Sequence, residues 1–287
     1  MNTSTVLDAA PSTAGSSTVD ASTAQRIAII GMGAMGRRVV SSLRAGPFGA
    51  LAIAGLDPYA DAKVLKAELD VDLFGNLDEL MAWKPTVVVE CAGHAAVEGV
   101  VIECLERGVD AIVASVGALS SEELRTRLHR AQDIGHSELT VVSGAIGGLD
   151  ALSAARGSGI DSVRYTGRKP PRAWTGSPAD EKFDLAAINE PTVIFEGTAA
   201  ESARLYPKNA NVTAAVAIAG IGFDKTHVTM MADPNVDKNV HEVEARGPFG
   251  RLSIRLENNP LPDNPKTSWL AALSIEDAIL RRLQHVI

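Results

Sequence analysis

The chain has 287 residues, 46% of them hydrophobic and 22% charged, with a formal net charge of −8. That length is enough for one large core or two modest ones. Duplex nucleic acid needs many cations facing phosphates, and neither the acidic balance nor any Lys/Arg block supplies them, so no nucleic-acid partner is expected. No uncharged apolar run of about 18 residues occurs, so no membrane span is expected either. The two cysteines, Cys91 and Cys104, make neither a disulfide framework nor a metal-binding spacing. They read as small buried hydrophobes, no metal site is expected, and low cysteine use fits a cytoplasmic location.

Residues 1–24 are rich in Ala, Ser and Thr and contain no Lys or Arg. They lack the basic start and apolar middle of a secretory signal. They read as a disordered tail that cannot bury enough surface to order itself. Arg26–Ile30 is a continuous apolar run suited to a parallel strand covered on both faces. Ala34–Ala45 follows as a helix stopped by Gly46-Pro47. A second apolar run, Ala50–Gly55, leads into Leu56-Asp57-Pro58. Helices over Asp61–Leu69 and Leu77–Trp83 precede a β-branched strand at Thr86–Cys91. Then come a helix over Ala95–Arg107, a strand over Ala111–Ser115, a helix over Ser120–Ile134 with Ser120 or Ser121 as cap, and a strand over Leu139–Val142. This alternation predicts a parallel sheet with helices on both faces.

Beyond Gly148 the pattern changes. Ser162–Gly167 and Thr192–Glu196 read as strands, Ala210–Gly220 as a helix of small residues, and His227–Met231, Asn239–Ala245 and Leu252–Leu256 as further strands. Arg246–Gly250 between the last two is a hairpin loop. Trp269–Leu283 is the final helix, with Leu273, Ile279, Leu280 and Leu283 on its apolar side. The expected class is α/β, with a parallel sheet in 25–148, a second α/β domain of mostly antiparallel sheet in 149–266, and a C-terminal helix in 267–287 packing back on the first domain.

Gly31-Met32-Gly33-Ala34-Met35-Gly36 stands between the first strand and the first helix. Gly31 permits a tight turn, Gly33 lets the backbone approach a pyrophosphate, and Gly36 lets the helix pack close to the strand. Ala34 and Met35 open the helix whose N-terminus favours an anion. In that context the motif predicts a Rossmann-type dinucleotide-binding domain, and NAD or NADP as cofactor. Asp57 ends the second strand, where a carboxylate can accept from ribose hydroxyls and repel a 2′-phosphate. That favours NAD, with NADP still open; the alternative role for Asp57 is a turn before Pro58. Cys91-Ala92-Gly93-His94, Ser115–Ala118 and Ser143–Gly148 close later strands and should line the nicotinamide half of the groove.

Of six histidines, His129, His136 and His285 fall on polar helix faces or ends. His94 shapes a pocket or caps a helix, and His227 begins a strand. His241 is a packed core histidine or a functional one, and pattern alone does not separate the two. Arg168, Lys169, Arg172, Lys208 and Lys225 are the cations available in the second half for an anionic substrate, an arginine being the better bidentate clamp.

The chain closely resembles the L-aspartate dehydrogenase family from about Arg26 onward. The resemblance rests on Gly31–Gly36, Ser143–Gly148, Tyr206-Pro207-Lys208-Asn209-Ala210-Asn211-Val212, and Ala232-Asp233-Pro234 followed by Asn239-Val240-His241-Glu242. It implies NAD(P)-dependent oxidation of L-aspartate to iminosuccinate, which hydrolyses to oxaloacetate and ammonia or feeds pyridine nucleotide biosynthesis. It implies a catalytic role for His241, cofactor contacts at Ala145 and Asn211, and a homodimer or larger homo-oligomer. Asp233 is the expected orienting partner of His241, because strand alternation puts Glu242 on the opposite face. The competing readings are an imine or semialdehyde reductase or homoserine-type dehydrogenase of the same architecture, and a dinucleotide-sensing protein without catalysis. Thioester chemistry would require an activated cysteine, for which Cys91 is the candidate.

Overall fold

The computed structural model describes residues 25–46, 51–261 and 264–284. The tail at 1–24 and His285 lie outside the described residues. The first half runs β1 (Arg26–Ile30), α1 (Ala34–Ala45), β2 (Ala52–Leu56), α2 (Ala62–Leu69), β3 (Asp72–Phe74), α3 (Leu77–Ala82) and β4 (Val87–Glu90). It continues through α4 (His94–Ala96), α5 (Ile102–Glu106), β5 (Asp110–Val113), α6 (Glu122–Gly135) and β6 (Leu139–Val141). The six strands form one sheet in the order β3-β2-β1-β4-β5-β6, every pairing parallel. Its central strands are buried on both faces, as unbroken apolar runs require: Ile27, Ala28, Ile29, Val88 and Val89 have no exposed surface. The strand order reverses between β1 and β4, and the crevice beyond their carboxyl ends is where such sheets bind ligands.

Local chemistry explains the ends of these elements. Asp61 caps α2 by accepting from Lys63 and Val64 amides, and Asn76 caps α3 through Glu79. Ser121, rather than Ser120, caps α6 by accepting from Leu124. The helix expected over Ala95–Arg107 is interrupted by a wide π turn at Val97–Val101 between α4 and α5. The edge strand β3 was too short to read from periodicity.

The second half runs α7 (Leu149–Ala155), β7 (Ser162–Lys169), α8 (Pro178–Lys182), β8 (Thr192–Thr198), α9 (Ala199–Leu205), α10 (Ala210–Ala219), β9 (Thr226–Ala232), β10 (Asn239–Gly247) and β11 (Gly250–Asn258). After β12 (Pro260–Leu261) and β13 (Asn264–Ser268) the chain closes with α11 (Trp269–Gln284). The five-stranded sheet has the order β11-β10-β7-β9-β8. It is mixed, with β7 and β9 parallel and the other neighbours antiparallel. The hairpin at 246–250 forms as expected, Gly247 pairing with Gly250.

Helix α11 touches the first sheet: Ser274 Oγ accepts from the Gly144 amide, and Arg282 pairs with Asp110. Its buried side is Ala272, Ile275 and Ile279. Leu273 is exposed, against the sequence expectation, because the helix phase is set by Ile275 and Ile279. Among the described residues no helix is long and apolar enough to cross a membrane.

Candidate active site

The glycine-rich turn is built as its sequence demands. Gly31 has φ +90°, and a Cβ there would lie 2.7 Å from Ala92 Cα, so the turn packs directly on the loop after β4. A Cβ on Gly36 would lie 2.1 Å from Gly31 O. Gly33, at the N-cap of α1, has no side-chain cap, and a Cβ there would meet nothing within 4 Å. An uncapped helix N-terminus facing open space is the arrangement a pyrophosphate requires. Asp57 sits beside this turn at the end of β2. Its Oδ2 accepts from the Met32 amide at 2.8 Å and its Oδ1 from the Tyr59 amide at 2.9 Å. The carboxylate is thus held in place by the turn itself.

The loops after β4 and β5 are tied together by a residue that sequence reasoning missed. Glu90, the last residue of β4, is fully buried. Its Oε1 accepts from the Ala92 and Gly93 amides and from Ser115 Oγ, at 2.7–2.8 Å, and its Oε2 accepts from the Ser115 amide at 2.9 Å. Four charge-assisted hydrogen bonds offset the cost of burying the carboxylate. Only a terminal acid on a Val-Val-Val-Glu strand hinted at it. Glu90→Ala would leave three part-buried backbone donors without their acceptor. It should lower unfolding stability in urea by about 2 kcal/mol and weaken nucleotide affinity as both loops loosen.

The second sheet presents the chemistry. Side chains alternate along β7, so Tyr165, Gly167 and Lys169 face one way and Arg164, Thr166 and Arg168 the other. Tyr165, Gly167 and Lys169 line a cleft of about 270 Å³, together with His241 and Asn239 of β10 and Met230 of β9. The first half contributes Met35, Cys91, Ala114, Ser115 and Ala145, and α11 contributes Ala271 and Ile275. His241 pairs across the sheet with Gly167 and is 5% exposed. Its Nδ1 is hydrogen-bonded to Tyr165 Oη at 2.8 Å, with the two rings nearly parallel at 20°. Burial, and then the nearby Lys169 ammonium, push the imidazole down to about 3. Burial likewise pushes Lys169 down to about 8. Its ammonium donates to Asn209 Oδ1 and lies 5.1 Å from the centre of the Trp174 ring.

Met35, Cys91, Ala145, Asn211, Lys169 and His241, all singled out in the sequence, meet in this cleft. Gly31, Gly33, Ala34 and Gly36 lie at the adjoining turn, against which Ala92 of the loop after β4 packs. Asn211 does not cap α10: it lies within the helix, where its Oδ1 accepts from the Gly117 amide at 2.9 Å. The Ala145 carbonyl accepts from Asn258 Nδ2 at 2.8 Å, which anchors the loop after β6.

Other expectations are corrected. Arg168 points to the opposite face, where its Nε donates to Glu242 at 3.0 Å and its Nη1 to Asp233 at 3.5 Å. Asp233 is therefore the partner of Arg168, and Tyr165 takes the place expected for it beside His241. Lys225 is exposed in the turn before β9, at the other end of the strand from the cleft, and Arg172 is exposed outside it. The side chain of Lys208 lies outside the described residues. His227 bonds Glu196 at the sheet surface. Burial, and then the Glu90 carboxylate, push the Cys91 thiol far above its ordinary range, so it is no activated nucleophile. Among the described residues the titratable groups lining the cleft are Cys91, Tyr165, Lys169 and His241, with no carboxylate and no arginine.

A nucleotide-binding turn joined to a cleft with one ammonium and one imidazole defines a dinucleotide-dependent dehydrogenase. Residues 150–282 match the family model described as aspartate dehydrogenase, C-terminal, and residues 31–141 match that of the homoserine dehydrogenase NAD binding domain. The chain is 44% identical over 272 residues to an L-aspartate dehydrogenase of Ralstonia pickettii, covering 91% of this chain and 98% of that protein. It is 46% identical over 265 residues to one of Cupriavidus necator, with the same coverage. Among solved structures it is similar to the aspartate dehydrogenase of Thermotoga maritima, with a TM-score of 0.69 and 28% identity, covering 91% of this chain and 96% of that one. The chain belongs to the L-aspartate dehydrogenase family.

Proposed function

We propose that this protein oxidises L-aspartate to iminosuccinate with NAD, the imine then hydrolysing to oxaloacetate and ammonia. The observation that carries the reading is the pairing of Lys169 and His241 in a cleft that, among the described residues, no carboxylate lines and that adjoins the glycine turn at Met35. Region 25–148 holds the nucleotide and region 149–266 the substrate, while 267–287 braces the two. The open space at Gly33 and the uncapped start of α1 fit a pyrophosphate, with Gly31, Ala34, Met35 and Gly36 around it. Asp57 supports NAD over NADP, since its carboxylate would repel a 2′-phosphate. Cys91, Ala92, Ala145 and Asn211 are the contacts offered to the nicotinamide half. The family resemblance implies a homo-oligomer, and low cysteine use fits a cytoplasmic setting.

NAD, when bound, supplies the acceptor for the hydride that leaves the substrate α-carbon. The protein's residues do the rest. The Lys169 ammonium pairs with one substrate carboxylate, and the amides of Asn209 and Asn239 and the Ser268 hydroxyl are the neutral groups beside it. His241 takes a proton from the α-ammonium through Nε2, the ring nitrogen not bonded to Tyr165. Burial, and then Lys169, suppress its basicity. A carboxylate on Lys169 cancels the latter effect, so the base gains strength when the correct substrate arrives. His241 passes the ammonium proton to solvent after hydride transfer. It then draws a proton from the water that attacks the imine carbon and returns it to the amine, which departs as ammonia while the hydroxyl proton is released to leave the carbonyl.

The test is an assay with NAD and L-aspartate that follows NADH and ammonia together. Equal yields of the two are expected. Turnover of an aldehyde or another amino acid with none of L-aspartate would overturn the reading. The raised Cys91 thiol already weighs against a thioester-forming semialdehyde dehydrogenase.

A further inference from the structure

Tyr165 and Gly167 stand two residues apart on the cleft face of β7, and Gly167 lies directly opposite His241 on β10. A Cβ on Gly167 would sit 2.7 Å from Tyr165 Oη and 3.2 Å from its Cζ. The tyrosine ring therefore leans along the strand over the bare glycine, and only so does its hydroxyl reach His241 Nδ1. Tyr165 is buried, and the bond to Nδ1 is the hydrogen bond its hydroxyl makes. His241 Nε2 has no protein partner among the described residues. We infer that Tyr165 is the positioning residue of His241: its hydroxyl fixes Nδ1 and so turns Nε2 toward the substrate, with Gly167 leaving that hydroxyl its path. The inference rests on the reading of His241 as the proton-transfer group.

A phenol suits this task in a way a carboxylate does not. Burial pushes the Tyr165 hydroxyl well above its ordinary range, so it stays neutral at any working pH. With Nε2 as the base, Nδ1 carries the ring N–H and donates it to the neutral Tyr165 oxygen, both before and after Nε2 takes a proton. The contact therefore survives as His241 gains and loses its proton, and the ring need not turn between the two halves of the reaction. A carboxylate at the same place would favour the imidazolium permanently. The nearby acids are kept from that role: Asp233 and Glu242 are bonded to Arg168 on the far face of the sheet. The charge facing His241 within the cleft is that of Lys169, Cys91 and Tyr165 being neutral.

The test compares Tyr165→Phe, Gly167→Ala and His241→Ala. Tyr165→Phe should lower kcat about tenfold, the worth of one hydrogen bond, while KM for L-aspartate and for NAD stays within about twofold. Gly167→Ala, which retains the hydroxyl but displaces it, should do the same. Nitrogen-15 NMR of histidine-labelled protein without nucleotide supplies a readout independent of turnover. The His241 ring, assigned by its disappearance in His241→Ala, should show two well-separated nitrogen shifts in the wild type. In Tyr165→Phe and Gly167→Ala those shifts should move together as the tautomers mix. Wild-type kcat and unchanged ring shifts in Tyr165→Phe, with His241→Ala inactive, would overturn the inference and leave the wider reading standing. Full turnover in His241→Ala would overturn that reading itself. Should Tyr165→Phe not fold, Gly167→Ala decides the matter on the same readouts.

Discussion

Replacing His241 with alanine should reduce kcat about 100-fold or more while leaving the dissociation constant for NADH nearly unchanged. The imidazole is the only base lining the cleft, among the described residues, that is uncharged at neutral pH and free to take a proton there: Lys169 is largely protonated at pH 7, and Cys91 and Tyr165 titrate far above it. The nucleotide, by contrast, is proposed to rest on the turn Gly31–Gly36 and the loops that Glu90 ties together, none of which contacts His241 through a hydrogen bond. Stopped-flow turnover and fluorescence titration with NADH separate the two effects. A variant that loses nucleotide affinity along with turnover would show instead that His241 supports the nucleotide site.

Lys169→Met should raise KM for L-aspartate about 100-fold and erase the preference for a dicarboxylate over a monocarboxylic amino acid, because a buried charge-assisted pair carries that selection. The same variant should be more stable than the wild type in the absence of substrate. Burial lowers the Lys169 pKa from its ordinary value near 10.5 to about 8. The unfolded chain therefore binds more protons than the folded one between those values. Stability contributed by this group rises with pH across about 8 to 10.5, and below about 8 the full cost of the buried ammonium is present. Removing the charge removes that cost at neutral pH. Thermal melts at pH 7 and pH 10 measure it: the gain from Lys169→Met should be largest at pH 7 and shrink toward pH 10. His241 behaves with the same sign. Its pKa is lowered to about 3, so the folded state loses stability as pH falls from about 6.5 toward 3. In Lys169→Met that loss should lessen, since one cause of the depressed imidazole pKa is gone.

Much of the fold was legible because its signals are local. The run Arg26–Ile30 followed by three spaced glycines dictates strand, turn and helix, and Gly31 and Gly36 each have a steric reason to be there. The change from strand–helix alternation to paired strands beyond Gly148 likewise marks a second sheet. What the sequence left open depends on contacts between distant residues. Arg168 and Lys169 are neighbours with similar chemistry, and only the phase of β7 decides which enters the cleft; that phase is set by pairing with β9 and β10. Asp233 was expected as the partner of His241 because strand alternation turns Glu242 away, whereas the residue bonded to its Nδ1 is Tyr165, 76 residues distant. Glu90 was unreadable because an acid ending an apolar strand acquires its meaning only from the amides of two loops that fold over it. The resemblance to a family named His241, which periodicity could not.

In the proposed mechanism the second sheet directs one imidazole and one ammonium at a dicarboxylate held beside the nicotinamide. A crystal structure with NAD and a non-reactive dicarboxylate analogue tests it most directly. His241 Nε2 is expected within hydrogen-bond distance of the atom that replaces the substrate amine, with one carboxylate on Lys169 Nζ. An analogue seated on Arg168 at the far face of the sheet, with His241 still packed against Tyr165 and touching nothing else, would contradict it.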